Sequence, residues 1–428
     1  MNMSPARAKR VLVITDRFGE TGGSRTEKFV KYLPKYGYEP FVLTKVGQGC
    51  VIEPSVNGAM PRLICVWHVP SPFRLFNKIG LRGAARFFHR YLFVPDISIT
   101  WLPFAFVAGL WAVKRLNIEV IYSTSPYESN HLVAMLLNHL TARTWVADFR
   151  DLWSHKHIKG ANESPTRVHQ QIVRFLEGKI MKRADLIVAN TQANRTIYQE
   201  SFGVNKHKIM VIPNGYDPDD FREIGSSAAL NSEFTIGYSG YFGDPFPWKV
   251  FMEVVEHCPF RDALRIEICG YVGDEVLQYL KVSPIGERVK LHGIVSHIES
   301  LRVASRSDVL LLLLYETDFS RAIVPMKTYN YFMLRRPIMA IADPLGSTGQ
   351  LLRDTGTGVA VSASDRCEIE KNFNKLYSSW CRDGHLEVTP CLSAIKAFSR
   401  DLLTGELVSA FDATLQNQRL NESRRVEA

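Results

Sequence analysis

The stretch "RVLVITDRFGETGGSRTEKFVKYLPKYGYEPFVLT", residues 10–44, holds a whole folding unit in miniature. Two short apolar runs, RVLVIT (10–15) and EPFVLT (39–44), flank SRTEKFVKYLPKYG, which reads as a helix. A run that is apolar along its whole length is a strand buried on both faces. Joined to the next such run by a helix, it belongs to a parallel sheet. The alternation continues through EVIYSTSP (119–126), TWVADF (144–149), ADLIVANT (184–191) and IMVIPNG (209–215), with ESNHLVAMLLNHLT and VHQQIVRFLEGKIMKRA as intervening helices. It then restarts with FTIGYSG (234–240), LRIEICG (264–270), VKLHGIV (289–295), SDVLLLLLY (307–315), RPIMAIA (336–342) and GVAVSA (358–363). Two doubly wound α/β domains in tandem are expected, 1–215 and 216–397, joined near NGYDPDDF (214–221).

Length agrees, since 428 residues exceed what one hydrophobic core usually organises. With 46% apolar and 22% charged residues, the composition is that of a folded globule. The net charge of +9 favours anionic partners: nucleotides, phospholipid headgroups or nucleic acid. Seven cysteines form no CxxC and no metal-ligand spacing, which suits reduced thiols in a cytoplasmic protein. The start, MNMSPARAKR, lacks the apolar segment of a usual secretory signal. ISITWLPFAFVAGLWAV (97–113) is apolar, but Pro103 interrupts it and it is short for a bilayer span, so it reads as a buried helix. The polar tail, 413–428, is expected to be flexible.

Ligands of such sheets bind at loops following the carboxyl ends of strands. In TDRFGETGGSR (15–25), Gly22 and Gly23 form either a tight turn or a cradle for an anion at a helix start. The run fits neither GxGxxG nor GxxxxGK[ST]. In TSPYESNHL (124–132), His131 is either structural or substrate-facing. In VADFRDLWS (146–154), Arg150 either braces Asp148 and Asp151, or one of the carboxylates accepts from sugar hydroxyls. In the second strand series, Gly240, Gly270 and Gly293 each end a strand, letting backbone groups reach a flat ligand. Lys249 and Lys327 are cations on nearby loops.

RTWVADFRDLWSHK, ADLIVANTQANRTIYQESFG, IPNGYDPDDF, LHGIVSHIESLRVASRSDVLLLLL and VPMKTYNYFMLRRPIMAI, in this order, resemble bacterial glycosyltransferase family 4 over about residues 10–412. The resemblance implies a GT-B fold: two Rossmann-like, doubly wound domains facing a cleft. The first is acceptor-side and completed by a helix near 398–412; the second takes a nucleotide-sugar donor. It also implies a retaining glycosyltransferase without metal or cofactor, in which Lys249 and Lys327 hold the diphosphate. By the same resemblance Gly240, Pro325, Met326 and Asn330 line the donor site, and Gly293 and Ile294 flank the base. Gly22 and Gly23 approach the donor phosphate or the acceptor, and His131, Asp148 and Arg150 lie on the acceptor side.

The chain departs from the family's pair of glutamates eight residues apart, for Ala322 and Asn330 stand there. An amide can still bond a hydroxyl, but a neutral hydrogen bond is worth about 0.5–1.5 kcal/mol against about 1.5–3 for a charged one. Glu316 and Asp318 are possible substitutes. Separately, PFRLFNKIGLRGAARFFHRYL (72–92) carries five cations and no acid, with Lys78, Arg82, Arg86 and Arg90 every four residues. It reads as a basic amphipathic helix for an anionic membrane surface or as a solvated helix. The expected setting is surface polysaccharide or lipid-linked glycan assembly at the inner face of the plasma membrane, with no nucleic-acid partner. The alternatives are a non-catalytic GT-B binding protein and another GT-B activity such as a sugar-nucleotide epimerase.

Overall fold

The computed structural model describes residues 7–19, 24–45, 54–66, 93–153, 166–222, 224, 231–317, 319–386 and 388–426. Gly22, Gly23, Asp318 and the 72–92 segment lie outside them. The chain divides into two compact units, residues 1–213 with 400–428, and residues 214–399.

Unit 1 is built on seven parallel strands in the order β3-β2-β1-β4-β5-β6-β7. They are β1 (Lys9–Ile14), β2 (Tyr38–Lys45), β3 (Arg62–Val66), β4 (Val120–Thr124), β5 (Thr144–Phe149), β6 (Leu186–Ala189) and β7 (Ile209–Val211). The central strands β4 and β5 are buried at every position, which is why their sequences are mostly apolar, with Asp148 of β5 the charged exception. β3, begun by Arg62 and buried only at Val66, escaped the sequence reading. The helices are α1 (Arg25–Tyr32), α2 (Leu102–Arg115), α3 (Ser129–Thr141), α4 (Arg167–Arg183) and α5 (Gln192–Phe202). α1 starts at a full capping box: Glu27 N–H donates to Ser24 Oγ, while Ser24 N–H donates back to Glu27 Oε2.

Unit 2 carries β8 (Phe234–Ser239), β9 (Leu264–Cys269), β10 (Val289–Gly293), β11 (Val309–Leu313), β12 (Ile338–Ile341) and β13 (Gly358–Val361). They form a parallel sheet in the order β10-β9-β8-β11-β12-β13. Its helices are α6 (Trp248–His257), α7 (Asp274–Val282), α8 (His297–Arg306), α9 (Met326–Met333), α10 (Ser347–Thr355), α11 (Arg366–Asp383) and α12 (Leu392–Lys396). One core layer joins Phe234, Ile236 and Ile266 to α6 and α11; the other joins Leu310 and Leu312 to Tyr329 and Phe332 of α9.

The last helix, α13 (Arg400–Val426), belongs to unit 1. Leu403, Leu407 and Phe411 enter the core beside Val11, Phe29 and Tyr122, and the Phe411 ring meets Tyr38 edge-on at 5.5 Å. The tail expected to be flexible from residue 413 instead continues this helix. Leu415 is buried and Gln418 Nε2 donates to the Ala142 carbonyl at 2.6 Å, so two further turns are held against the body.

The 97–115 segment also differs from the expectation of a buried helix. Ala105, Gly109, Ala112 and Val113 face inward, and a Cβ on Gly109 would lie 2.7 Å from Leu137 of α3. Phe104, Val107 and Trp111 are exposed. The segment is buried on one side only.

At the carboxyl ends of the unit 1 strands lies a buried ionic network. Asp148, at the end of β5, is wholly buried and accepts from Arg25 Nε at 2.9 Å and Nη2 at 3.1 Å. Tyr122 and Thr124 of β4 also donate to it, and Arg25 donates to the carbonyls of Ile212 and Pro213 after β7. Burial alone would raise the Asp148 carboxyl, but the Arg25 charge and these donors hold it below the ordinary carboxylate range.

Two outcomes are expected. Asp148→Ala leaves a buried guanidinium without its partner and should cost about 3–5 kcal/mol of stability. Phe411→Ala should cost about 3–5 kcal/mol through the cavity it opens. Urea unfolding measures both. An unchanged midpoint for Asp148→Ala, with lost turnover, would return Asp148 to a substrate-contacting role.

Candidate functional site

In unit 2 the strand order reverses direction around β8, which has β9 on one side and β11 on the other. Crevices at the carboxyl ends of strands beside such a switch point are where open α/β sheets bind ligands. A pocket of about 340 Å³ occupies this position. Ser239, Gly240 and Tyr241 line it from the end of β8, and His297, Ser300 and Leu301 from α8. Leu313 of β11 and Pro325, Met326, Lys327, Asn330 and Tyr331 complete the wall.

Lys327 stands in the first turn of α9, whose N-cap is Pro325 and has no side-chain cap. Its Nζ donates to the Ser239 carbonyl at 2.6 Å and lies 3.7 Å from the centre of the Tyr238 ring. Among the described residues no carboxylate pairs with it. Burial therefore lowers its pKa to about 7. A cation seated on a π face and a carbonyl, at an uncapped helix start, is arranged to meet an anion.

The wall holding this lysine is itself tied down. Tyr331 Oη accepts from Ser239 N–H at 3.1 Å, and the Ser239 and Ser300 hydroxyls bond at 2.7 Å. Gly240 has φ +118°, and a Cβ there would approach Lys327 Nζ to 3.4 Å. The amides of Gly240 and Gly270 donate to the carbonyls of Cys269 and Gly293, so the three strand-end glycines extend the sheet ladder. The N–H groups of Gly240 and Gly270 serve the sheet, and at Gly270 the missing side chain leaves room, for a Cβ there would fall 2.1 Å from the Gly240 carbonyl oxygen.

Of the residues singled out in sequence, the pocket gathers Gly240, Pro325, Met326, Lys327 and Asn330. Asn330 is almost fully buried. Lys249, Gly293 and Ile294 do not line it. Lys249 is exposed with its ammonium over the neighbouring Trp248 ring at 5.4 Å, and Ile294 is exposed. Glu316 is no substitute for the missing carboxylate, since it accepts from the Ser362 hydroxyl and the Ala363 amide instead. Ala322 is buried.

Sequence reasoning missed His297, whose Nε2 lies 3.2 Å from Asp220 Oδ2. The two are 77 residues apart, and only the fold brings the IPNGYDPDDF motif beside α8.

Unit 1 revises the acceptor-side expectations. His131 is fully buried, with Nδ1 on the Ser123 hydroxyl at 2.8 Å and its ring stacked 4.4 Å from Phe149. Its place is in the packing, as is that of Asp148 in its ionic network. The brace on Asp148 is Arg25, not the adjacent Arg150, whose amide N–H donates to Ser125 Oγ. The start of α1, read as a possible anion cradle with Gly22 and Gly23, already holds an anion of its own: Glu27 accepts from the amides of Gly19 and Ser24.

The polar residues at the unit 1 switch point are others. Asp16, following β1, accepts from Lys45 Nζ at 3.0 Å and Ser98 Oγ at 2.6 Å. Asp96 accepts from the amide and hydroxyl of Ser129. Burial, with Glu128 and Asp16 nearby, pushes the Asp96 carboxyl up to about 7 against these bonds.

No curated protein sequence matches this chain. The model for Glycosyltransferase Family 4 matches residues 22–220. Among solved structures, Alr3699/HepE from Anabaena in complex with UDP and glucose is similar over 95% of this chain and 99% of its own, with TM-score 0.61 and 14% identity. Sucrose-phosphate synthase from Thermosynechococcus elongatus is similar over 98% and 100%, with TM-score 0.62 and 14% identity. The lipopolysaccharide outer core galactosyltransferase WaaB covers 97% and 99%, at TM-score 0.56 and 12% identity. Likeness at such low identity bears on the fold, which is GT-B, and the match of the family model is confined to residues 22–220, in unit 1 and the first residues of unit 2.

Proposed function

We propose that this enzyme moves a sugar from a nucleotide-sugar donor to a hydroxyl acceptor with retention of anomeric configuration. The setting would be surface polysaccharide or lipid-linked glycan assembly at the inner face of the plasma membrane. The observation that carries the donor assignment is Lys327: a cation paired with no carboxylate among the described residues, at a switch-point pocket of unit 2. The complexes of the Anabaena protein with UDP and UDP-glucose support a uridine nucleotide as the first donor to test.

In the proposed reaction the bond between the anomeric carbon and the diphosphate oxygen breaks, and the acceptor oxygen bonds to the same face of the sugar. The acceptor proton passes to the departing phosphate. Lys327 and the start of α9 neutralise the charge that grows on the diphosphate, where a fixed cation acts most strongly because water is partly excluded. No cofactor beyond the donor is required. Asn330, at the ribose-gripping position, bonds a hydroxyl through a neutral amide. The basic 72–92 segment is proposed to favour an anionic membrane.

Two measurements test this reading. Turnover by purified protein across a panel of nucleotide sugars should appear with at least one donor. Lys327→Ala should reduce it by at least about a hundredfold, as loss of a fixed transition-state donor does. Tight nucleotide binding with no turnover on any donor would favour a binding protein. Near-normal turnover of Lys327→Ala would remove Lys327 from the diphosphate.

The pH dependence has a definite sign. A diphosphate binds the charged lysine, and burial has lowered the pKa of that lysine in the free protein to about 7. Donor affinity should therefore be level below that pH and fall above it, by up to about tenfold per pH unit until the raised pKa of the complex is reached. Calorimetric titration between mildly acid and mildly alkaline pH measures this, and Lys327→Met should make the profile flat.

A further inference from the structure

The strongest feature that the reaction leaves unused is on unit 1. α2 packs beside α3, and α3 beside α4. Each precedes the next parallel strand of the sheet, so all three run in the same direction. Their carboxyl ends meet the edge where strands begin, opposite the loops that follow the strand ends.

The outer surface of these helices is apolar. On α2, Phe104, Val107 (67% exposed) and Trp111 (55%) fall at helical spacing along one stripe. Val168, Ile172 and Phe175 (62%) repeat the pattern on α4, and Leu140 is exposed on α3. Between α3 and α4 runs a groove of about 640 Å³, walled by Met135, Leu136, Phe175 and Leu176.

Charge is distributed just as unevenly. α2 carries two Lys or Arg and α4 carries five, whereas the single acid on all three helices, Glu177, is buried. Lys114 and Arg115 end α2, Arg143 follows α3, and Lys182 and Arg183 end α4, so these cations share one edge. Lys179, Lys182 and Arg183 form the basic end of the groove, with Lys179 Nζ 5.3 Å from the Phe175 ring.

We propose that this three-helix face is a docking surface for an anionic phospholipid bilayer. Several exposed aromatic and branched side chains in one layer, with no exposed acid on the three helices themselves and a cation-rich border in which Asp185 is also exposed, match a membrane interface. There the apolar groups enter the acyl boundary, Trp111 sits at headgroup depth and the cations meet phosphate. A bilayer also needs no shape complement, which suits a face assembled from three parallel helices. The residues of this surface are other than those of the unit 2 pocket, and the proposal stands whether or not the proposed transfer reaction is correct.

The test is co-sedimentation of the full-length protein with vesicles of phosphatidylglycerol and phosphatidylcholine, against phosphatidylcholine alone. Wild type should bind the anionic vesicles and lose binding as salt rises. Lys179→Gln, Lys182→Gln and Arg183→Gln together should weaken partitioning by more than about tenfold, since each cation near such a surface is worth about fivefold. Phe175→Ser with Trp111→Ser should weaken it by about tenfold or more through lost apolar contact. These positions are exposed, so both variants should keep wild-type circular dichroism and turnover with a soluble acceptor. That separates a failure of docking from a failure of the reaction.

Equal binding to both vesicle types, no binding by wild type, or unchanged binding by both variants would overturn the proposal. So would self-association of wild type that Phe175→Ser abolishes while vesicles are ignored, because that result would assign the face to a second copy.

Discussion

The buried Arg25–Asp148 pair is the interaction on which the first unit depends. It joins four segments distant in sequence: the start of α1, the end of β4 through Tyr122 and Thr124, the end of β5, and the chain just after β7. A wholly buried ion pair is costly to desolvate and persists only when its remaining donors and acceptors are filled. Here they are filled: Arg25 reaches two backbone carbonyls as well as both carboxylate oxygens. The loops at this sheet edge are thus anchored to a network that permits one arrangement. His131, packed flat on Phe149 one strand away, is held by the same rigid layer.

Lys327 shows the opposite economy of charge. Its contacts, a carbonyl and an aromatic face, stabilise an ammonium less than a carboxylate would, and burial disfavours the charged form further. A folded protein gains nothing in stability from such a placement. Strain of this kind is tolerated where a ligand supplies the missing charge. The contrast between the two cations, one saturated and one left open, is what separates scaffold from candidate site in this chain.

Much of the architecture was legible because buried parallel strands must be apolar at nearly every position, and twelve of the thirteen strands announced themselves in that way. β3 did not: its run RLICV begins with Arg62 and only Val66 in it is buried. The motif around Lys327 was also legible, because an isolated cation in an apolar run has few structural uses. Pairings across sequence were not. Nothing local marks Arg25 as the partner of a carboxylate 123 residues away, so Asp148 looked available when it was already committed. Lys249 misled for a related reason: its position after a strand-end glycine looked apt, but its side chain lies over Trp248 and outside the pocket.

The identity of residue 330 bears on how the donor pocket distributes charge. A glutamate there would place a carboxylate one helical turn from Lys327, close enough to pair with it across the start of α9. With asparagine there, no carboxylate among the described residues pairs with the lysine, and Glu316 is turned onto Ser362 and Ala363. Under the proposed donor assignment, the pocket would exchange a charged bond to a hydroxyl for a cation whose field is directed at the diphosphate. His297 also lines the pocket, with its Nε2 3.2 Å from Asp220 Oδ2. If the proposed donor binds here, recognition would lean on phosphate charge more than on sugar hydroxyls, and selectivity among nucleotides would fall to the wall formed by Tyr241, Phe246 and Leu301.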